Sequence, residues 1–250
     1  MIKIPDAEYF AHKALNCGGI KKILNGTPAH FVQKSPEKDC FIEGRAFHVA
    51  ALEPQNLDQV LIAEEGKKRT SAQIKQGCLK FNAAKEVMEW ANALRDYDYH
   101  GVKLGKIFDA CEIEVSHFWT HDFGDFQVPC KIKIDAINHK HKLIFDAKSC
   151  KDASESGFSK ALYNRDLAYY IQEAFYTIPP ELKGYRFIFA CVEKTAPYCT
   201  GLWCSTSEAR YRALLKIEKA AKIYHQCKKT GTWSSQYNNE PETIPAPNWL

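Results

Sequence analysis

Twenty residues, Pro129 to Lys148 (PCKIKIDAINHKHKLIFDAK), constrain this chain more than any other stretch. Two runs that alternate apolar and polar, Cys130 to Ile137 and Lys142 to Lys148, flank Asn138, His139, Lys140 and His141, which is the pattern of a β-hairpin. Side chains alternate at a period of two along a strand, so Cys130, Ile132, Ile134 and Ala136 are expected on one face and Lys131, Lys133 and Asp135 on the other. On the second strand Leu143, Phe145 and Ala147 oppose Ile144, Asp146 and Lys148. A four-residue turn pairs Ile137 with Lys142 and lays the two apolar sets on one side, which gathers Asp135, Asp146 and Lys148 on the other. Two carboxylates at a diagonal cross-strand spacing, with a lysine beside them, suit metal-assisted hydrolysis.

Elements read along the chain frame this hairpin. A short helix begins near Ile20 and ends at Gly26, and a second follows Pro28. Phe41 to Leu52 reads as a helix stopped before Pro54. From Leu61 to Ala83 the chain is polar and carries Lys67-Lys68-Arg69-Thr70, read equally as a phosphate-contacting loop or as a mobile one. Ala83 to Leu94 is an amphipathic helix with Val87, Met88, Trp90 and Leu94 directed to the core. Cys111 to Trp119 alternates, with Cys111, Ile113, Val115 and Trp119 on one side and Glu112, Glu114 and Ser116 on the other. Phe158 to Ile178 has a helical pattern ended by Pro179-Pro180. Tyr185 to Val192 suits a strand buried on both faces, with Thr200 to Ser205 as its partner. Ser207 to Cys227 forms a long helix with Leu214, Leu215, Ile217 and Tyr224 inward, and Pro241 to Leu250 is extended. This order predicts an α/β fold with a mixed central sheet flanked by helices, taken as one domain over 1–250, with a core at about 41–205 and a helix and tail over 206–250.

Composition excludes several classes. Hydrophobic residues at 45% and charged residues at 26% describe an ordinary globular protein. A net charge of +4 is too small to announce nucleic acid, and each local cluster, such as Lys21-Lys22 or Lys228-Lys229, reads first as solvated surface. Ten scattered cysteines without a C-x-x-C pair, and no signal peptide at Met1 to Phe10, point to a reducing cytoplasm and free thiols. Only Cys199 and Cys204 are close, so no iron–sulfur cluster is expected. No apolar run approaches membrane-spanning length.

Asp135 followed by Asp146-Ala147-Lys148 resembles the core of the PD-(D/E)xK nuclease superfamily. Gln172-Glu173-Ala174-Phe175-Tyr176 resembles the Q-x-x-x-Y helix of its RecB-like branch. Gly44-Arg45-Ala46-Phe47-His48 followed by Leu52-Glu53-Pro54, Thr27 to Phe31, and Glu114 to Trp119 resemble blocks of the exonuclease VIII (RecE) type. The resemblance runs from about Gly19 to Trp249. It implies the restriction-endonuclease-like fold and a Mg²⁺-dependent exodeoxyribonuclease, with Mn²⁺ able to substitute. Such an enzyme digests one strand of double-stranded DNA from an end, 5′ to 3′, in recombination or prophage repair. Metal ligands implied are Asp135, Asp146, Glu114 (with Glu112 its competitor), His48 and the carbonyl of Ala147. Lys148 is implied to orient or deprotonate water and stabilise charge, with Gln172 helping to place that water. Lys67, Lys68, Arg69, Lys131, Lys133 and Tyr176 are the candidate DNA contacts. Implied partners are DNA ends, a single-strand annealing protein and further copies of the chain in a ring-shaped homo-oligomer. Other readings that stay open are an endonuclease of the same superfamily, a catalytically silent DNA-binding module, and a partner-binding protein with a coincidental D-x-K.

Overall fold

The computed structural model describes residues 1–33, 38–238, 240, 241, 243 and 246. Along the chain come α1 (Asp6–Ala11), α2 (Cys17–Asn25), α3 (Pro28–Val32), α4 (Asp39–Leu52), α5 (Ser71–Lys75) and α6 (Phe81–Asp96). A ribbon of β1 (Asp98–Tyr99) and β2 (Val102–Lys103) leads to α7 (Leu104–Asp109), then β3 (Glu112–Asp122), β4 (Gln127–Asn138) and β5 (Leu143–Cys150). The chain continues through α8 (Glu155–Tyr163), α9 (Tyr169–Tyr176), β6 (Arg186–Glu193), β7 (Thr200–Trp203) and α10 (Ser207–Thr230). The expected extended tail from Pro241 to Leu250 falls for the most part outside the described residues.

Five strands form one mixed sheet in the order β3-β4-β5-β6-β7. Only β5 and β6 are parallel; the other neighbours are antiparallel. A parallel pair needs a long crossover, and α8 with α9 supplies it. Both faces of the sheet are covered. On one, Ile132, Ile134, Ile144, Phe187 and Phe189 meet Ile20 of α2, Phe175 of α9 and Ile217 of α10. On the other, Phe145, Ala147, Ile188 and Ala190 meet Phe47 of α4, Trp90 of α6 and Phe108 of α7. Caps fix the helix ends: Asn16 Oδ1 accepts from the Gly19 amide at 2.7 Å, and the Thr206 hydroxyl accepts from the Ala209 amide at the start of α10.

The hairpin differs from its expected register. Ile137 pairs with Ile144 and Asn138 with Leu143, not Ile137 with Lys142. Asn138 Oδ1 accepts from the His141 amide at 3.0 Å and Lys142 takes φ 51°, so the four-residue turn moves on by one position, giving up Asn138 to the strand and taking in Lys142. A two-residue slip preserves the parity of the pairing, and Ala136 still lies with Leu143, Phe145 and Ala147.

A second difference matters more. Cys130, Ile132 and Ile134 pack beneath α2, α9 and α10, whereas Ala136 packs on the α4 side. The same switch separates Val115 from Ile113 on β3. Both strands change face at the pair Glu114 and Asp135, and Glu114 sits at φ 55°, a region that costs a non-glycine residue about 1–2 kcal/mol. Simple alternation cannot anticipate a left-handed residue inside a strand.

Three smaller corrections share a cause in local hydrogen bonding or burial. The helical pattern from Phe158 to Ile178 is two helices, because Asn164 Oδ1 accepts from the Asp166 and Leu167 amides and Ala168 turns to φ 41°. The inward stripe of α10 is Ala213, Ile217, Ala220, Ala221 and Tyr224, while Leu214 and Leu215 are exposed. The polar stretch after Leu61 contains α5, started by a capping box between Thr70 and Gln73.

The N-terminal segment straps the hairpin. Ile2 bridges Ser116 on the outer edge of β3, and Leu15 bridges Cys130 on β4. Between them α1 crosses, with Tyr9 and His12 against Phe118.

Candidate active site

The kink at Glu114 and Asp135 opens beside α4. Phe47 of that helix is buried, which turns its neighbour His48 toward the sheet. His48 Nε2 lies 2.9 Å from the Ala147 carbonyl, 3.6 Å from Asp135 Oδ2, and its Nδ1 is 3.8 Å from Glu114 Oε1. The Asp135 carboxylate also accepts from the Ala147 amide at 3.1 Å. One donor atom from each of His48, Glu114 and Asp135 can be chosen so that all lie within 4.8 Å of one another. Two hard carboxylate oxygens and an imidazole fit a divalent cation such as Mg²⁺ or Mn²⁺.

Electrostatics bind these groups together. Burial pushes the Asp135 carboxyl up to about 7, with His48 and Lys148 opposing and Asp146 and Glu114 reinforcing the rise. Burial works against the charge on His48, yet Asp135 and Glu114 carry it up to about 9. Glu114 is held below the usual carboxylate range despite burial, by His48 and by Lys133, whose Nζ is 2.6 Å from Glu114 Oε2. Lys133 also pairs with Asp6.

Asp146 and Lys148 form a second, adjacent unit. Asp146 is 2% exposed, its Oδ1 accepts from Gln172 Nε2 at 2.5 Å, and its Oδ2 pairs with Lys148 Nζ. Gln172 thus ties Asp146 to α9, and the Asp146 charge still acts on Asp135, whose rise it reinforces. Gln172 touches this carboxylate, so its amide orients Asp146. Burial disfavours the Lys148 cation, but Asp146 and Asp135 hold its ammonium well above the ordinary lysine range. The Lys148 Nζ lies 5.2 Å from the Tyr169 ring centroid, and Lys21 of α2 lies 5.3 Å from the same ring.

A cleft of about 810 Å³ exposes His48, Glu114, Lys133, Asp135, Ala147 and Lys148. Glu112, the alternative to Glu114, is exposed elsewhere, near His139. Several candidate DNA contacts are corrected. Lys131 is buried, with its ammonium donating to the Tyr9 and His12 carbonyls, so it ties down the strap. Arg69 is committed to Asp39 and to the Cys78 carbonyl. Lys67 is exposed and paired with Glu64, and Lys68 is exposed beside it; both line a cavity that shares no residue with the cleft. Tyr176 is half-buried, edge-on to Phe187. Sequence reasoning missed Tyr169, Arg45, Lys75 and Lys194 at the cleft. Arg45 had a signal, three residues before His48 on one helix; the others come from distant segments.

The chain matches, over residues 20–241, the family described as "PDDEXK-like domain of unknown function (DUF3799)", and it belongs to that family. Among solved structures, one called "Putative exonuclease" from Eubacterium rectale aligns with TM-score 0.66 and 16% identity, covering 99% of this chain and 97% of that one. A second, SSO0001, aligns at TM-score 0.34 and 14% identity over 82% of this chain and 84% of that chain. No curated protein matches. The fold is the PD-(D/E)xK nuclease fold, with a five-stranded mixed sheet flanked by helices.

Proposed function

We propose that the protein is a divalent-metal-dependent deoxyribonuclease that removes nucleotides from one strand at a DNA end. The observation that carries this reading is the trio of His48, Glu114 and Asp135 in one cleft with the Lys148 cation. It is consistent with the exonuclease name carried by the Eubacterium rectale neighbour.

His48, Glu114 and Asp135 would hold the ion. When bound, a divalent ion supplies Lewis-acid charge neutralisation and a hydroxide near neutral pH. Lys148 presents a fixed positive charge where negative charge develops on the phosphoryl oxygens. Asp146 keeps that ammonium protonated and in place, and Gln172 holds Asp146. Asp146 and Asp135 favour the charged form of Lys148, which suits it to electrostatic stabilisation of the transition state and to orienting the attacking water. Ala147 contributes its amide to Asp135 and its carbonyl to His48, which sets the distance between the two ligands.

Digestion of end-labelled linear duplex with Mg²⁺ or Mn²⁺ tests the reading, with 5′ and 3′ labels compared and a covalently closed duplex alongside. Release of labelled mononucleotides from linear DNA, with the closed circle intact, is the expected outcome. Cutting of the circle makes the protein an endonuclease, and binding without cutting makes it a DNA-binding module. The 5′ to 3′ direction, a role in recombination or prophage repair in the cytoplasm, hand-over of the product strand to an annealing protein and assembly into a ring of copies belong to the same proposal.

A further inference from the structure

The catalytic cleft carries two features that the hydrolytic centre does not use. Its rim holds large apolar side chains in water: Phe10 on α1 is 68% exposed and Phe41 on α4 is 48% exposed, and both line the cleft. Neither ring belongs to its helix's inward face, which is taken by Tyr9 on α1 and by Ile42 and Ala46 on α4. Phe41, Gly44, Arg45 and His48 stand at helical spacings of three and four, so they form one stripe along the cleft. Seven residues of helix place Phe41 about 10 Å from His48, roughly three stacked nucleotide steps. Gly44 between them leaves the stripe open, since a Cβ there meets nothing within 4 Å. The same cleft is lined by Arg45, Lys75 and Lys194.

Aromatic faces beside cations are what an unpaired strand needs, because every exposed base offers a flat surface for stacking while its phosphate seeks positive charge. In an intact duplex the base faces are already stacked on one another and offer nothing to Phe10 or Phe41. We infer that the cleft takes an unpaired DNA strand, with bases stacked on Phe10 and Phe41 and phosphates facing Arg45 and Lys75, while Lys194 stays paired with Glu43 at 3.0 Å. This rests on the proposal that the protein acts on DNA, and it specifies the form of DNA engaged: a single strand or a frayed end.

Binding of the full chain is measured by fluorescence anisotropy in EDTA, so that no cutting occurs. The probes are a labelled oligodeoxynucleotide of roughly a dozen residues, a blunt duplex of the same length, and the oligonucleotide with consecutive abasic sites. Phe10→Ala and Phe41→Ala are each expected to weaken the single strand about fivefold or more and to leave the duplex nearly unchanged. Phe41→Trp, which keeps a stacking face, retains the affinity. The wild-type protein should bind the abasic strand as weakly as the Phe10→Ala/Phe41→Ala double variant binds the normal one. Unchanged single-strand affinity in both alanine variants, equal loss for duplex and single strand, or loss of a concentration-dependent dimer without loss of DNA binding overturns the inference; the last would make the rim a contact between copies. The two proposals separate cleanly. DNA binding that depends on the phenylalanines, in a protein that cuts no DNA with Mg²⁺ or Mn²⁺, sinks the nuclease reading alone. Cutting at the wild-type rate on single strands by both alanine variants sinks the strand inference alone.

Discussion

Asp135 and His48 hold protons that a divalent ion must displace, since carboxylate and neutral imidazole are the ligand forms. The raised Asp135 carboxyl stabilises the metal-free fold below its unfolded value of 3.8, and that contribution is lost as pH rises through about 7. The raised His48 contributes below 6.5 and loses its contribution as pH rises through about 9. Metal-free protein therefore softens with rising pH while metal affinity grows. Thermal unfolding with and without Mn²⁺ should show a larger metal-induced rise in Tm at about pH 8.5 than at about pH 6, and equal shifts at both would remove the trio from metal binding. Asp135→Asn is expected to abolish that shift together with nuclease activity, a loss of about a hundredfold or more, while the metal-free protein stays folded. Asp146→Asn acts differently. It removes the nearer of the two carboxylates that hold Lys148 and leaves Asp135, so a loss of about 1–3 kcal/mol in denaturant unfolding is expected along with the activity; unfolding at the wild-type midpoint would mean that Asp135 alone suffices for Lys148.

At the scale of elements, β3 is the strand that the site distorts. Glu114 occupies the left-handed region without a glycine's freedom, and strain of this kind is held only where surroundings over-determine it. Here His48 and Lys133 fix the side chain from two sides. Asn tolerates such a conformation and a β-branched residue does not. Glu114→Asn should therefore be more stable than Glu114→Val by about 1–2 kcal/mol, although both lose the carboxylate and the activity. Equal stability by urea unfolding would show that the backbone relaxes freely and that the kink is not imposed on this residue. The longer helices were legible in the sequence, whereas the short α1, α5 and α7 were not. Pro54 after Leu52 acts over three or four residues, and the hydrophobic spacing of α6 is local too. The break at Asn164 was not, because a side chain that captures two backbone amides leaves no mark on apolar periodicity.

At the scale of the molecule, a net charge of +4 gives an isolated subunit little long-range attraction for DNA. With Lys131 buried and Arg69 committed to Asp39, even the basic clusters offer less than their sequence suggests. Closure of several copies around a DNA end would compensate by slowing escape, which is the reasoning behind the proposed ring. Light scattering should then give a multiple of 28.5 kDa, and digestion of an engaged duplex should continue after excess unlabelled competitor is added. A monomer that releases DNA after each cut excludes the ring.

What the sequence determined by itself is the strands of the sheet and the longer helices, and hence the α/β class. Alternation made Cys130–Ile137 and Lys142–Lys148 strands, the unbroken apolar run made β6 a central one, and parity carried Asp146 and Lys148 to one face even though the register was misjudged by two residues. These are local consequences of backbone geometry and burial, so a linear string contains them. Only the tertiary structure decided which carboxylates share a site. Gln172 and Lys148 hold Asp146 on the side of α9, and Glu114 and His48, 21 and 87 residues upstream of Asp135 and named from the sequence by resemblance alone, come within reach of Asp135 only through the fold. The deciding events are a left-handed residue in β3 and the packing of α4 on the sheet, and both depend on contacts between segments that the sequence keeps far apart.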